Sequence, residues 1–289
     1  MKGRQGVEQS PVVLITGASR GIGAATAVAF GQAGWRVAIT ARTQTEGQVH
    51  EHQLRRPDGA MLGGSLARTV AALQALGAPV FSHSMDLMDK TSLDRALDAV
   101  LAHYGRVDLL INNAVYQDPE MNALLLDLED DMLERTLLGN VVAPFHLTRR
   151  LLPRMLAQGG GQVINVCSGA GQNDPPVPAN RGGWGFGYGA SKAGLIRLAG
   201  CINRELGKQG VRAYSVNPGV VATEAVTATL GDDGTLAQRY GVMSPQAIAQ
   251  ALLWLATDER APVATKGKGM LELQELVKTY GLAPAPDQG

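Results

Sequence analysis

The sequence has few cysteines, no excess of either charge and no long hydrophobic run. Its two cysteines, Cys167 and Cys201, argue against a disulfide scaffold and fit a reducing compartment. Lys and Arg number 26, as do Asp and Glu, which gives no electrostatic reason to expect nucleic acid or a membrane as partner. The first ten residues lack an apolar signal segment, and no run reaches about 18 apolar residues. We therefore expect a soluble, cytoplasmic protein.

The sequence also lacks the spacing of a metal site. Its five histidines follow no ligand pattern, so no metal is predicted. The acidic run at 127–131 is typical of a solvated helix start, with metal binding as the less favoured alternative.

Short β-branched runs alternate with longer helical patterns. Strands are predicted at 12–17, 35–42, 79–87, 107–114, 162–168 and 211–219, with helices at 21–34 and 65–77. Continuous apolar strands separated by helices indicate a parallel sheet that is covered on both faces. The sequence therefore predicts an α/β fold with a doubly wound parallel sheet. We expect one domain over 11–280, a disordered tail at 1–10 and a C-terminal tail at 281–289.

Three segments interrupt this alternation. A long polar stretch covers 43–66, a Gly- and Pro-rich stretch covers 169–187, and a loop-like stretch covers 261–269. An amphipathic helix is expected at 270–280, for core or subunit packing. The 169–187 loop is expected either to form an apolar wall beside the substrate, with Trp184 and Phe186, or to be a simple surface excursion.

A glycine-rich turn follows the first predicted strand. Gly17, Gly21 and Gly23 have the spacing G-x-x-x-G-x-G between that strand and a helix. Glycines at these positions let the backbone turn tightly and approach a pyrophosphate, and the helix N-terminus offers free N–H groups. In this strand–turn–helix context the pattern predicts a dinucleotide site.

The end of the second predicted strand indicates which dinucleotide is bound. An NAD site places Asp or Glu there to bind the ribose 2′-hydroxyl, but this chain has Thr40, Ala41 and Arg42. Arg42 and Arg20 would pair with a 2′-phosphate, since guanidinium matches phosphate geometry. The alternative is two solvated surface arginines. The residues favour NADP(H) over NAD(H).

The chain also carries a Y-x-x-x-K pair, Tyr188 and Lys192. On a helix, residues i and i+4 lie on one face, so both tips reach one point. Ser168 ends the strand before this helix. Asn140 stands in an apolar helical stretch, where it is either a structural hydrogen bonder or part of a proton relay. In a doubly wound sheet these strand ends converge on one crevice.

These motifs, taken in order, resemble the short-chain dehydrogenases/reductases over about residues 11–258. They are TGASRGIG, Asp86-Leu87, NNA, Asn140, Ser168, YGASK and NPGVVATE. The resemblance implies a Rossmann-like three-layer fold, with Tyr188 as general acid/base and Ser168 orienting the substrate. It implies that Lys192 holds the ribose and favours the ionised tyrosine, and that Asn140 supports a water relay through Lys192. The remaining cofactor contacts that it implies are Gly17, Ser19, Arg20, Gly21, Ile22, Gly23, Asp86, Leu87, Asn113, Ala114, Pro218, Gly219, Val220 and Thr223.

The chain departs from the family pattern at several points. Val115 replaces the glycine that follows NNA, and Tyr116 is then expected to face the substrate. The spacing from Ser168 to Tyr188 is longer than usual, and the D-G-G ending is absent.

The sequence predicts an NADP(H)-dependent oxidoreductase that transfers a hydride between the cofactor and a small carbonyl or alcohol substrate. The family resemblance implies a homodimer or homotetramer. One alternative is a cofactor-binding sensor or scaffold without turnover, and another is use of the same tyrosine in epimerisation or elimination.

Overall fold

The described residues form one sheet of seven parallel strands. The computed structural model describes residues 10–50, 55, 56, 58–226 and 241–282. The strands are β1 (Val12–Thr16), β2 (Arg36–Ala41), β3 (Val80–Ser84), β4 (Leu109–Asn112), β5 (Gly161–Val166), β6 (Val211–Asn217) and β7 (Leu271–Glu272). Their order across the sheet is β3-β2-β1-β4-β5-β6-β7. The order reverses between β1 and β4, and ligands of such sheets bind at this switch point.

Helices cover both faces of the sheet. They are α1 (Gly21–Gln32), α2 (Leu66–Ala75), α3 (Lys90–Tyr104), α4 (Asp130–Leu137), α5 (Ala143–Ala157), α6 (Phe186–Leu206), α7 (Pro245–Thr257), α8 (Ala261–Ala264) and α9 (Leu273–Tyr280). A π-helical turn at Leu138–Val142 joins α4 to α5. Within the described ranges, no helix is both long and apolar enough to cross a membrane.

Two hydrophobic layers hold the helices on the sheet. Because successive strand side chains point to opposite faces, β1 sends Ile15 into the layer that contains Phe30 of α1 and Leu252 of α7. Its neighbour Leu14 enters the other layer, with Leu147 of α5. Burial on both faces explains why the strands have continuous apolar sequences. The doubly wound, Rossmann-like three-layer fold is therefore confirmed.

The C-terminal segment differs from its prediction. A helix was expected over 270–280, but Leu271 and Glu272 pair with Val216 and Asn217 as a seventh strand. Helix α9 begins only at Leu273. A strand of two residues is too short to show a period in the sequence.

Smaller differences occur elsewhere. The stretch 261–269, expected to be a loop, begins with the four-residue helix α8. Strand β3 ends at Ser84, three residues before its predicted end. The tails expected at 1–10 and 281–289 lie almost wholly outside the described residues.

Candidate active site

A cleft of about 330 Å³ opens at the carboxyl ends of the central strands. It brings together most of the residues singled out in the sequence. Its walls include Gly17, Ser19, Arg20, Gly21, Ile22, Arg42, Asp86, Leu87, Asn113, Ala114, Tyr116, Tyr188, Lys192, Pro218, Gly219 and Thr223. These residues come from six separate stretches of the chain, so the cleft exists only in the folded protein.

The glycine turn forms one wall of the cleft. Gly17 has φ of 71°, and a Cβ built on it would lie 2.7 Å from Ala114 Cα. A Cβ built on Gly23 would lie 2.3 Å from the Gly17 carbonyl oxygen. Gly23 therefore serves packing inside the turn and does not line the cleft. Any larger residue at either position would push the turn away from its neighbours.

Helix α1 begins directly after this turn. Its N-cap residue, Arg20, makes no side-chain cap hydrogen bond, and its first turn contains no acidic residue. The first N–H groups of a helix lack partners within the helix and attract anions. The start of α1 therefore suits a phosphate group.

Asn113 holds the glycine turn from the neighbouring strand β4. Its Nδ2 donates to the carbonyl oxygens of Thr16 at 2.9 Å and Gly17 at 3.2 Å. The Thr16 hydroxyl in turn accepts from the backbone N–H groups of Asn113 and Ala114, each at 3.0 Å. The side chain of Asn113 is thus occupied in shaping the turn, whereas the expected ribose contact remains a prediction.

Two arginines, Arg20 and Arg42, line the cleft. Arg42 directly follows β2. Arg20 is the N-cap residue of α1, and its Nε is buried without a hydrogen-bond partner among the described residues. Burial lowers the pKa of Arg20, while the nearby carboxylates of Glu224 and Glu46 act in the opposite direction.

Tyr188 and Lys192 lie in the first turns of α6. Lys192 is only 5% exposed, and its Nζ donates to the Val166 carbonyl at 3.1 Å. The same Nζ lies 5.7 Å from the centre of the Tyr188 ring. The i, i+4 spacing therefore does bring the two side chains together at the cleft.

Ser168 follows β5 beside the cleft-lining residue Cys167. Its hydroxyl accepts from the Ala170 N–H at 3.3 Å and caps a short 3₁₀ turn. Ser168 does not belong to the walls of the cleft. Burial raises the pKa of the Cys167 thiol to about 11, which keeps this thiol protonated and weakly nucleophilic.

Asn140 is 2% exposed and lies in the π-helical turn. Its Oδ1 accepts from the Tyr116 N–H at 2.7 Å. Its Nδ2 donates to the Tyr116 carbonyl at 3.5 Å and the Ser191 hydroxyl at 3.4 Å. These bonds connect the loop after β4 to α6, so Asn140 acts as a structural hydrogen bonder. The relay through Lys192 remains a prediction.

The loop after β6 is braced by a residue that the sequence analysis missed. Gln274 Nε2 donates to the Val220 carbonyl at 3.0 Å. Glu272 Oε2 accepts from Asn217 Nδ2 at 2.8 Å. Val220 thus serves this brace and does not line the cleft, whereas Pro218 and Gly219 do. No sequence signal marked Gln274 or Glu272, since the segment was interpreted only as a packing helix.

Of the three aromatic residues predicted near the substrate, one lines the cleft and two lie outside it. Tyr116 is 3% exposed and lines the cleft near Tyr188. Trp184 instead lies close to Gly189 on α6, and Phe186 is 56% exposed. Neither Trp184 nor Phe186 is among the residues that line this cleft, and the apolar wall beside the substrate remains a prediction. The end of the loop before α6 is bound to the segment around Asn122, because the Gly185 N–H donates to Asn122 Oδ1 at 3.0 Å.

Comparisons with known proteins identify the family of this chain. A family model described as short chain dehydrogenase matches residues 11–233. The chain is similar to a 3-oxoacyl-[acyl-carrier-protein] reductase from Synechocystis sp., with 30% identity over 88% of this chain and 92% of that protein.

Solved structures give the same result. A short-chain dehydrogenase/reductase from Burkholderia xenovorans has 27% identity and a TM-score of 0.74, covering 92% of this chain and 95% of its own. A short chain dehydrogenase from Mycobacterium paratuberculosis bound to NAD has 25% identity and a TM-score of 0.71, covering 91% and 95%. On the family match, the relative and the shared fold, this chain belongs to the short-chain dehydrogenase/reductase family of oxidoreductases.

Proposed function

We propose that this protein is an NADP(H)-dependent oxidoreductase that acts on carbonyl and alcohol groups. The observation that carries the proposal is the buried Lys192 Nζ, 5.7 Å from the Tyr188 ring, at a cleft that also contains the glycine turn. A proton-transferring tyrosine and a dinucleotide site thus open into one space. Hydride transfer needs both in that arrangement.

The cleft fits a dinucleotide with a 2′-phosphate. The start of α1, which has no side-chain cap from Arg20, suits the pyrophosphate. The Nε of Arg20 has no hydrogen-bond partner among the described residues, so it can donate to a phosphate oxygen. Arg42 lines the cleft where an NAD site carries an acid. Arg20 and Arg42 would hold the 2′-phosphate, and the nicotinamide would supply or accept the hydride when bound.

The residues of the chain supply the proton and the orientation. Tyr188 would donate its hydroxyl proton to a carbonyl oxygen that is being reduced, or accept one from an alcohol. Lys192, whose Nζ is held at the cleft by the Val166 carbonyl, would hold the ribose hydroxyls of the cofactor. Ser168 would donate to the same substrate oxygen from the end of β5.

The reaction is tested with purified protein, NADPH or NADH, and a panel of ketones and aldehydes. We expect turnover in the parent and in Tyr214→Phe, since Tyr214 lies in β6 outside the cleft. Tyr188→Phe should bind NADPH as the parent does but lose turnover by at least about a hundredfold. Equal activity of Tyr188→Phe would remove the assigned role. Binding without any turnover in the parent would favour the sensor alternative.

The cofactor preference is tested with Arg42→Ala. We expect weaker NADPH binding by about tenfold or more, with little change for NADH, because only NADPH carries the 2′-phosphate. Arg95→Ala is the matched control, since Arg95 forms an exposed pair with Asp89 on α3. Equal loss for both cofactors would refute the phosphate assignment.

A homodimer or homotetramer remains part of the proposal. Exposed apolar side chains cluster along α5 and the turn before it: Phe145 is 47% exposed and Val142 49%. An apolar groove of about 520 Å³ lies between α5 and α6. Such a surface is typical of a subunit contact, and light scattering of the parent and of Phe145→Glu would test it.

We also propose a cytoplasmic location, which is consistent with two free cysteines.

A further inference from the structure

Two oppositely charged side chains, Arg20 and Glu224, lie near each other at one edge of the cleft, and each has a buried polar atom without a hydrogen-bond partner among the described residues. Glu224 Oε2 and Arg20 Nε are both buried, and neither atom has a hydrogen-bond partner among the described residues. Both residues line the cleft and also an adjoining cavity of about 890 Å³. Buried polar atoms of charged groups normally have partners, because leaving them unpaired costs free energy. This pair therefore calls for an explanation.

Glu224 lies close to the start of α1. A Cβ built on Gly21 would lie 3.7 Å from Glu224 Oε2 and 3.2 Å from the Thr223 methyl carbon. Helix α1 brings no acidic residue or side-chain cap of its own to this end. A carboxylate from a distant segment thus lies where the free N–H groups of α1 attract an anion.

The segment that carries Glu224 is anchored on one side. The Ala222 N–H donates to the Met243 carbonyl at 3.0 Å, and the Thr223 hydroxyl accepts from the Val226 N–H at 3.2 Å. Glu224 is thus held beside α1 by backbone bonds of its neighbours. No described bond fixes its Oε2, so the carboxylate can turn without breaking one at this oxygen.

A second acid near Arg20 behaves differently. Glu46 Oε2 accepts from the Gly64 N–H and its Oε1 from the Ser65 hydroxyl, both at 3.1 Å. Glu46 thereby closes the 43–66 stretch at the N-terminus of α2. Both of its oxygens accept a hydrogen bond, whereas Oε2 of Glu224 is free to accept one from another donor.

We propose that Glu224 is an affinity-determining residue that occupies the anion position between Arg20 and the start of α1 before a nucleotide binds. A nucleotide phosphate that binds at the start of α1 or on Arg20 meets a like charge, so Glu224 has to turn away or the phosphate is repelled. In either case the residue weakens nucleotide binding and speeds nucleotide release. The inference rests on the proposed function only in taking the cleft to be the nucleotide site.

Glu224→Gln tests this directly because it removes the charge and keeps the shape. We expect ADP and NADPH to bind about three- to tenfold more tightly than to the parent. Adenosine, which has no phosphate, should bind equally to both proteins. Titration calorimetry measures ADP and NADPH, and competition against NADPH measures adenosine. Glu224→Ala provides a second variant with the same expected direction.

Glu259→Gln is the matched control, since Glu259 is exposed between α7 and α8 and lines neither cavity. It should leave all three affinities unchanged. Unchanged or weaker ADP binding in both Glu224 variants would overturn the inference, as would an equal gain for adenosine. A parent that binds ADP and NADPH but never turns over would instead overturn only the proposed function. A parent that binds no nucleotide would overturn both.

Discussion

The close approach of Gly17 to Ala114 gives a quantitative prediction about the glycine turn. Gly17→Ala places a methyl group 2.7 Å from Ala114 Cα on a backbone with φ of 71°. A left-handed conformation costs an alanine about 1–2 kcal/mol. Forcing an extra carbon into a packed site costs about a further 1–3 kcal/mol.

Gly34→Ala separates these two contributions. Gly34 has φ of 81°, but a Cβ built there meets nothing within 4 Å. It therefore carries the conformational cost of about 1–2 kcal/mol alone. The effect of alanine on the unfolded chain is the same in both variants, so it cancels when they are compared.

Urea denaturation of the parent and both variants measures the difference. We expect Gly17→Ala to unfold with a free energy about 1–3 kcal/mol below that of Gly34→Ala. NADPH binding should weaken at least about tenfold in Gly17→Ala, because the turn and the start of α1 must shift. It should be unchanged in Gly34→Ala. Equal stability of the two variants would show that the turn does not need the close approach to Ala114.

Three further predictions concern other parts of the molecule. Gln274→Leu removes one of two donors to the Val220 carbonyl, the other being the Met243 N–H at 3.2 Å. The KM for NADPH should rise several-fold with little change in Tm; an unchanged KM would show that the Met243 bond alone holds the loop. Asn165→Leu should lower the free energy of unfolding by about 2–3 kcal/mol, because Asn165 is fully buried and its Oδ1 accepts from Asn112 Nδ2 at 2.9 Å. A free energy of unfolding within about 0.5 kcal/mol of the parent's, which is roughly the spread of surface substitutions, would refute this. The pKa of Cys167 is raised to about 11, so its reactive thiolate is scarce below that pH and appears only as pH rises towards it. At pH near 9 iodoacetamide should leave Cys167 unmodified in the folded protein and modify it in the urea-unfolded protein, as read by mass spectrometry; equal labelling of the two states would contradict the burial.

The sequence by itself determined the fold class and most of the cleft. Six of the seven strands could be predicted, because central strands such as β1 and β4 are largely apolar, as a parallel sheet covered on both faces requires. The glycine turn and the Tyr188–Lys192 pair are local patterns whose geometry follows from a turn and a helix. Arg42 could be located because the end of the second strand has a fixed place in a doubly wound sheet.

Only the tertiary structure decided which distant residues complete the site. Glu224 reaches the start of α1, and Gln274 reaches Val220, through contacts between segments far apart in the chain. Such contacts leave no periodicity or spacing in the sequence, since they depend on how whole elements pack. The same reason applies to β7, whose two residues become a strand only because β6 offers an edge. It also applies to Phe186, the first residue of α6, whose side chain is exposed and lies outside the cleft because of the way this helix packs.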